Sequence, residues 1–378
     1  MSEVLVELPG GTYPVVIDGG GLEGLGQAVV RVTASRRVVL VTNPVVGALY
    51  SASARASLAQ AGFTVVEIEV PDGEVHKTVE TWSRLVHALL DAKISRSTPV
   101  IALGGGVTGD IVGFAAATVL RGVPLIQVPT TLLAMVDSAV GGKTGVNAAH
   151  GKNLVGAFHQ PLLVFVALAT LRTLPLVEVR AGLAEVVKHG MIGDSTIWDL
   201  LEAPGPGILD GTDREGLAIC VARSALLKAR VVSEDERETG IRSLLNFGHT
   251  VGHAVEAVMR GQLRHGECVA LGMRAELRHA VACARSPVEL VAAMDDLLAR
   301  LGFPVSVPRS VKYSHLDAAA AHDKKRIHAT IRVPVVDRIG SSRCIVVDAR
   351  EVPEMIRHLD VAAPLERLKN AATTSETK

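Results

Sequence analysis

Apolar, β-branched runs alternate with helix-like segments in the first part of the 378-residue chain, and this alternation limits the possible folds more than any other feature. Strands are predicted at Arg37–Thr42 and Thr64–Val70, with a helix at Val45–Ala61 between them. A third apolar run begins at Val100 and leads into three adjacent glycines. Strands alternating with helices are typical of a parallel sheet covered by helices on both faces.

The strand-like signal stops near Pro175, after which helical periodicity dominates. We therefore predict a Rossmann-like α/β domain with a mostly parallel sheet in residues 1–174, opened by a β-hairpin. A mainly α-helical domain is predicted in residues 175–370. Residues 371–378 are polar and without periodicity, and are predicted to be a disordered tail.

The amino-acid composition limits the classes of partner that the protein could bind. Lys and Arg together number 39, as do Asp and Glu, which argues against a nucleic-acid-binding or membrane-surface protein. No uncharged apolar run reaches the ~20 residues of a membrane span, and no secretory signal pattern is present. The four cysteines form no Cys-x-x-Cys pair, so neither a disulfide framework nor a thiolate zinc site is suggested. We expect a protein of the reducing cytoplasm that acts on a small molecule.

The segment GGGVTGD, Gly104–Asp110, follows the third strand and opens a helix. Glycines let the backbone approach a pyrophosphate, and a helix N-terminus offers N–H groups and a positive dipole end. The spacing is not Gly-x-Gly-x-x-Gly, and close strand–helix packing also requires glycine. Further along, Asp137, Lys143 and Lys152 stand among glycines between buried flanks, which favours ligand contact over a solvated loop.

The segment Leu244–Glu267 contains three histidines, one asparagine and two glutamates. On one helix, Asn246, His249 and His253 would share a face. This polar face suggests a metal or an anionic ligand, although a solvated face is the alternative. The His-x-x-x-His pair lacks the glutamate of the metalloprotease motif, so a third ligand must come from elsewhere.

Three other charged sites have two interpretations each. Glu185 and Lys188 are either a surface ion pair or a metal carboxylate beside a cation for an anionic substrate. Arg242 either forms an ordinary helical ion pair with Glu238 or holds an anionic substrate group. The basic cluster His322–Arg326 is either a solvated turn or a phosphate contact.

Together, GGGVTGD, VPTTLLAMVDSAVGGKTGVN, GKNLVGAFHQP, GLAEVVK, DERETGIRSLLNFGHTVGHAVE and HGECVALGM resemble the successive motifs of the 3-dehydroquinate synthase family, within the sugar-phosphate cyclases. They stand in the family's order from about Asp72 to Lys325. The resemblance implies an NAD-binding α/β domain, a helical metal-binding domain, and a homodimer. It implies that NAD lies against Asp72, Gly73, Glu74, Lys77, Gly105, Gly106, Val107, Thr108, Gly109, Asp110, Thr130, Thr131, Lys143, Lys152, Thr170, Leu171, Arg172 and Thr173.

By the same resemblance, Glu185, His249 and His265 would bind a divalent metal, Zn2+ or Co2+. This replaces the pairing of His249 with His253 that spacing favours. Residues implied to contact the anionic sugar-phosphate substrate are Asp137, Lys188, Lys228, Arg242, Asn246, His253 and one lysine of the Lys324–Lys325 pair, with Lys324 preferred.

The implied reaction converts 3-deoxy-D-arabino-heptulosonate 7-phosphate to 3-dehydroquinate and phosphate, a step of aromatic amino-acid biosynthesis. A hydride passes to NAD+ and later returns, phosphate leaves by β-elimination, and an intramolecular aldol reaction closes the carbocycle. The alternatives are another sugar-phosphate cyclase, an aminodehydroquinate or 2-deoxy-scyllo-inosose synthase, and a metal-dependent polyol dehydrogenase. Two positions depart from the family pattern: Ala167, where Asp is frequent, and His159, where an aromatic residue is common.

Overall fold

The computed structural model describes residues 2–203, 207–208, 213–238, 240–321 and 329–362. The chain forms two compact units. The first contains Met1–Val186 and Pro204–Glu238, and the second contains Val187–Ala203 and Thr239–Lys378. The boundary between units therefore does not coincide with the one predicted at residues 174/175, because the chain leaves the first unit and later returns to it. The predicted tail, 371–378, lies outside the described residues.

The first unit is built on a seven-stranded sheet in the order β1-β2-β9-β6-β5-β3-β4. Strands β1 and β2 form the predicted antiparallel hairpin, and every other neighbouring pair is parallel. Strands β3, β5, β6 and β9 are almost entirely buried, which is why their sequences are continuous apolar runs. The strands are β1 (Ser2–Leu8), β2 (Gly11–Asp18), β3 (Arg37–Thr42), β4 (Thr64–Glu69), β5 (Val100–Gly104), β6 (Leu125–Pro129) and β9 (Leu163–Ala167).

Helices connect the parallel strands. Two of these helices have a capping side chain at the N-terminus. The side chain of Asn43 accepts a hydrogen bond from the Val46 N–H, and the side chain of Thr78 accepts one from the Thr81 N–H. The helices of this unit are α1 (Leu25–Val30), α2 (Pro44–Gln60), α3 (Val79–Asp91), α4 (Gly106–Thr118) and α7 (Arg214–Glu234), together with the first part of α5 (Leu176–Gly193).

A second, two-stranded sheet follows β6. It is the antiparallel hairpin of β7 (Lys143–Ala148) and β8 (Gly151–Phe158). A π-helical turn at Ala134–Ser138 precedes it. The sequence favours ligand contact in this region but does not predict the hairpin, because glycines and small polar residues interrupt the alternation that identifies strands.

The second unit is mainly helical, as predicted. Its elements are the end of α5, then α6 (Ser195–Glu202), α8 (His249–Met259), α9 (His265–Ala282), α10 (Glu289–Arg300), β10 (Val307–Pro308), α11 (Tyr313–Ala321), β11 (Thr330–Arg338), β12 (Ser341–Asp348), α12 (Glu351–Arg357) and β13 (Val361–Ala362). Buried residues of α8, α9, α11, β11 and α12 share one apolar core. Among the described residues, no helix has the length and apolar character required to span a membrane.

The predicted helical face of Asn246, His249 and His253 is partly wrong. Asn246 ends a short 3-10 helix, Ile241–Asn246, whereas α8 begins at His249. Gly248 separates the two helices with φ +79°, a left-handed conformation that suits glycine and breaks the helical register. Only His249 and His253 therefore lie on the same α-helix.

Candidate active site

The carboxyl ends of three neighbouring strands, β9, β6 and β5, meet at one edge of the first unit's sheet. The glycine-rich turn follows β5, and Gly105 precedes the first turn of α4 without a side chain to cap it. A pocket at this edge is lined by Gly105, Gly106, Asp110 and Ser138 among others. Because parallel sheets bind ligands beyond their carboxyl ends, this edge of the sheet is the nucleotide-binding candidate of the first unit.

Lys77 and Asp110 form an ion pair beside this pocket. Lys77 is only 4% exposed, and its Nζ lies 2.5 Å from both Asp110 Oδ2 and Asn153 Oδ1. Burial raises the pKa of the Asp110 carboxyl above its ordinary value, although the nearby Lys77 ammonium opposes this shift. The pair unites two segments that the sequence predicts as cofactor-binding, the loop after β4 and the start of α4.

Residues that the sequence did not predict hold the glycine-rich turn in place. Gln127 donates to the Gly109 carbonyl oxygen at 3.1 Å, and Asn43 donates to the Thr108 hydroxyl at 3.2 Å. Gln127 is the single polar side chain of the buried strand LIQVP. A polar residue inside such a strand was the available signal, since a buried amide requires hydrogen-bond partners.

The remaining predicted cofactor residues occupy loops and strand ends of the same unit. Thr130 follows β6 and is buried, and the Thr131 hydroxyl accepts from the Ala134 N–H. Gly73 has φ +99°, and Glu74 accepts from Asn147 at 2.8 Å, with the Lys152 ammonium 3.9 Å away. The Lys143 ammonium contacts the Glu238 carboxylate. Thr170, Leu171, Arg172 and Thr173 lie on a 3-10 helix after β9.

Two predicted substrate residues are brought together in the first unit. The Lys228 Nζ donates to Asp137 Oδ1 at 2.6 Å and also to the Asp137 carbonyl oxygen. Lys228, on α7, is 5% exposed, while Asp137 belongs to the π-helical turn. Burying an ammonium group is costly without an opposite charge nearby, so the Asp137 carboxylate stabilises Lys228 in this position.

The second unit gathers the three histidines of the Leu244–Glu267 segment. The ring centroid of His249 lies 5.2 Å from that of His253 and 5.5 Å from that of His265. Nδ1 of His249 is 3.2 Å from the Phe247 carbonyl oxygen, and Nδ1 of His265 is 3.2 Å from Glu256 Oε2. Both acceptors favour a proton on Nδ1 of the neutral ring, which would place the lone pair of each ring on Nε2.

Glu276, which the sequence did not identify, fixes the start of α8. It is buried, and its carboxylate accepts from the Gly248 N–H at 2.9 Å and the Val251 N–H at 3.0 Å. A methyl group on Gly272, one turn earlier on α9, would overlap the Gly248 carbonyl oxygen. Close contact between α8 and α9 and a buried carboxylate therefore determine where His249 lies.

The other predicted site residues are strongly buried for their types. Glu185 lies on α5 within the first unit and is 0% exposed. In the second unit, Lys188 is 1% and Arg242 is 2% exposed. The Glu238–Arg242 helical pair is not formed on a helix, because α7 ends at Glu234 and Glu238 has φ +58°. Lys324, with the whole cluster His322–Arg326, lies outside the described residues.

Comparison with known proteins gives a single family. The family models described as 3-dehydroquinate synthase N-terminal and C-terminal match residues 67–181 and 182–326. A 3-dehydroquinate synthase of Pelobacter propionicus is 45% identical over 352 residues, covering 92% of this chain and 96% of the relative.

Solved structures of two other cyclases have the same fold. A 2-deoxy-scyllo-inosose synthase complexed with carbaglucose-6-phosphate, NAD+ and Co2+ has a TM-score of 0.82 at 26% identity, covering 95% of this chain and 100% of its own. A 2-epi-5-epi-valiolone synthase from Streptomyces hygroscopicus with NAD+ and Zn2+ bound has a TM-score of 0.82 at 28% identity, covering 94% and 98%. From its similarity to known synthases over nearly its full length, the chain belongs to the 3-dehydroquinate synthase family.

Proposed function

We propose that this enzyme converts 3-deoxy-D-arabino-heptulosonate 7-phosphate to 3-dehydroquinate and phosphate. The observation that carries the proposal is 45% identity to a 3-dehydroquinate synthase across 92% of the chain. Three cationic side chains, Lys188, Lys228 and Arg242, are compatible with it, and each is 5% exposed or less. The substrate carries a carboxylate and a phosphate, which are anions that lysine and arginine side chains bind well.

We propose NAD as the cofactor of the first unit. Its diphosphate would lie at the uncapped start of α4, where glycines leave the backbone accessible and the helix dipole favours an anion. The Lys77–Asp110 pair would fix the loop after β4 beside it. The two cyclase structures with bound NAD+ support this choice of cofactor. When bound, NAD supplies a hydride acceptor that is regenerated in each turnover.

We propose that Glu185, His249 and His265 bind a divalent metal. Two imidazoles and one carboxylate are a donor set that suits Zn2+ or Co2+. The Nδ1 contacts of His249 and His265 fit this role, because each leaves Nε2 as the ligand atom. The ion would supply Lewis acidity toward a substrate hydroxyl. His253, on the same helix as His249, would contact the substrate instead.

The protein's own groups would then orient the substrate. The Arg242 guanidinium suits a carboxylate or phosphate because it donates two parallel hydrogen bonds. The Lys228 ammonium, already positioned by Asp137, offers a single directed charge. Asn246 can donate to and accept from hydroxyl groups, and Lys188 adds a further cation. One lysine of the Lys324–Lys325 pair completes the proposed set.

A second candidate is the 2-deoxy-scyllo-inosose synthase reaction, because such an enzyme has the same fold with a TM-score of 0.82. Its 26% identity is lower than the 45% to the dehydroquinate synthase, so this candidate is second. An NADH-dependent butanol dehydrogenase has a TM-score of 0.67 at 15% identity, which shows a shared fold alone.

The test is direct assay of the purified enzyme with the heptulosonate phosphate, catalytic NAD+ and added Zn2+ or Co2+. We expect phosphate and dehydroquinate in equal amounts, without accumulation of NADH absorbance. Accumulating NADH would indicate a dehydrogenase. Protein that binds NAD+ and metal but does not convert this substrate would contradict the proposal, and glucose 6-phosphate would then test the inosose synthase reaction.

Two sets of variants test the assigned roles. His249→Ala and His265→Ala should each reduce bound metal, whereas His253→Ala should retain it and lose turnover. Arg242→Lys keeps the charge but loses the forked geometry, so we expect a loss of about 1.5–3 kcal/mol, or roughly tenfold to over a hundredfold, in kcat/KM. Near-normal kcat/KM in Arg242→Lys would contradict the anion-binding role of Arg242 alone.

We also propose a homodimer in a reducing cytoplasm, as the resemblance implies. The four cysteines, all described, form no disulfide with one another, which is compatible with that compartment. Light scattering of the purified protein measures the assembly directly: twice the mass of one chain supports the dimer, and a mass of one chain contradicts it.

A further inference from the structure

A cysteine, a histidine and a glutamate converge at the C-terminal end of α9, away from the segment Leu244–Glu267 in sequence. Cys283 is the C-cap residue of α9, His279 is one turn earlier, and Glu351 is the first residue of α12. One donor atom of each residue lies within 4.8 Å of the others. All three residues belong to the second unit.

The distances favour a metal site over a nucleophile activated by a base. His279 Nε2 lies 3.6 Å from Cys283 Sγ and 3.1 Å from Glu351 Oε2. A catalytic triad uses the two ring nitrogens separately, one toward the nucleophile and one toward the carboxylate. Here a single nitrogen, His279 Nε2, lies near both the Cys283 sulfur and the Glu351 oxygen, so the three donor atoms are close to one another.

These separations agree with tetrahedral coordination. Zn–S bonds of about 2.3 Å and Zn–N or Zn–O bonds of about 2.0–2.1 Å place tetrahedral S and N ligands about 3.5 Å apart and N and O ligands about 3.3 Å apart. The measured distances are 3.6 Å and 3.1 Å. An ion could therefore enter with small side-chain movements.

The surroundings also suit a cation. His279 is 3% exposed, so its imidazole is held in place, whereas Cys283 is exposed and leaves an entry path. The carbonyl end of α9 carries the negative end of the helix dipole, which favours positive charge. Arg285 binds both oxygens of Glu351, at 2.5 Å and 3.1 Å. A carboxylate has about four lone-pair sites, so Glu351 can accept hydrogen bonds from Arg285 and still bind an ion.

We propose that His279, Cys283 and Glu351 form a second binding site for a borderline-soft divalent cation of the Zn2+ class, separate from the site proposed for His249 and His265. Thiolate, imidazole and carboxylate are three zinc ligands, and solvent would supply the fourth. Binding displaces the thiol proton to solvent and involves no redox change. The ion would link the end of α9 to the start of α12. A short sequence motif could not predict this site, because Glu351 is distant from His279 and Cys283 in sequence.

Co2+ distinguishes this site from the metal site proposed at Glu185, His249 and His265, because that site includes no cysteine ligand. Protein loaded with Co2+ should show a near-ultraviolet thiolate-to-metal charge-transfer band. Cys283→Ser should abolish the band and remove one equivalent of bound metal. Cys344→Ser, a matched change elsewhere in the same unit, should leave the band and the stoichiometry unchanged. His249→Ala should remove the other equivalent and keep the band.

Because Cys283 is exposed, its serine variant should fold, so the test does not depend on altering buried His279. Glu351→Gln and His279→Gln should each weaken Co2+ binding at this site, with folding checked by circular dichroism. A wild-type protein without the band, or a band that survives Cys283→Ser, would overturn the proposal. Neither outcome depends on whether the enzyme acts on the heptulosonate phosphate.

Discussion

Helices α4 and α8 both begin after a glycine that supplies no capping side chain, yet their first turns have different surroundings. The N–H groups of Gly248 and Val251, at the start of α8, donate to the buried carboxylate of Glu276. The start of α4 instead lines a pocket. At α8, a residue far along the chain therefore supplies the acceptor for the first turn, whereas at α4 the first turn borders a pocket.

The largest effect should follow from separating α8 and α9. In Gly272→Ala, the added methyl group would overlap the Gly248 backbone, which cannot move as a flexible side chain can. We expect a loss of about 3 kcal/mol in unfolding free energy, together with loss of metal bound at His249. Denaturant unfolding and metal analysis measure both quantities.

Gly47→Ala on α2 is the matched control. Its methyl group would meet the Thr42 methyl carbon at 3.0 Å and the Thr42 hydroxyl oxygen at 3.9 Å, a tight contact with a side chain and not with backbone. Because a side chain can shift slightly and alanine favours a helix, we expect a much smaller loss of unfolding free energy than in Gly272→Ala. A Gly272→Ala variant as stable as this control would show that α8 does not depend on close packing against α9.

The second prediction concerns the charge within α4. Lys77→Met leaves the partly buried Asp110 carboxylate without its ammonium, and we expect a loss of about 2 kcal/mol near neutral pH. The side chain of Asp110 is 19% exposed, which keeps this figure below that of a fully buried pair. The pKa of Asp110, already raised by burial, should rise further in the variant.

The pH dependence has a definite sign. A carboxyl group whose pKa is higher in the folded than in the unfolded state binds its proton more tightly when the protein is folded. The unfolding free energy therefore falls as the pH rises from the unfolded-state pKa to the folded-state pKa. The loss of unfolding free energy in Lys77→Met should therefore reach its full value above the raised pKa of Asp110. It should disappear below the unfolded pKa, where the carboxyl is neutral in both states. A loss of unfolding free energy that does not change with pH would contradict its assignment to the Asp110 carboxylate.

The smallest effect is expected for Glu276→Gln. The amide oxygen can still accept from the first turn of α8, but the hydrogen bond loses its charge assistance. We expect a loss of about 1 kcal/mol in unfolding free energy and weaker metal binding at His249. Glu276→Ala should cost more, because the Gly248 and Val251 N–H groups then lose a buried acceptor. Equal stability of the two variants would exclude a capping role.

The α4 start could be predicted from sequence because its determinants are contiguous: a β-branched strand, three glycines and a helical run. The predicted α/β fold with a mostly parallel sheet and a helical C-terminal region is confirmed. Near α8, the local periodicity of the sequence gave a wrong prediction, because it placed Asn246 on the helix and could not detect the left-handed conformation of Gly248. Glu276 could not be assigned either, because its contacts join residues separated by 25 and 28 positions.

The division of the first unit between two chain segments has a consequence during synthesis. Strand β1, at the sheet's edge, precedes α7, which packs against it, and the chain between them includes Val187–Ala203 of the second unit. That intervening segment contains Trp198, which is 1% exposed when folded. The Met191 and Ile192 carbonyl oxygens of the same segment accept hydrogen bonds from the Gly340 N–H and the Ser342 hydroxyl, which are synthesised later still. A nascent chain therefore exposes both the part of β1 that α7 contacts and the side chains of this segment, and such exposure promotes aggregation.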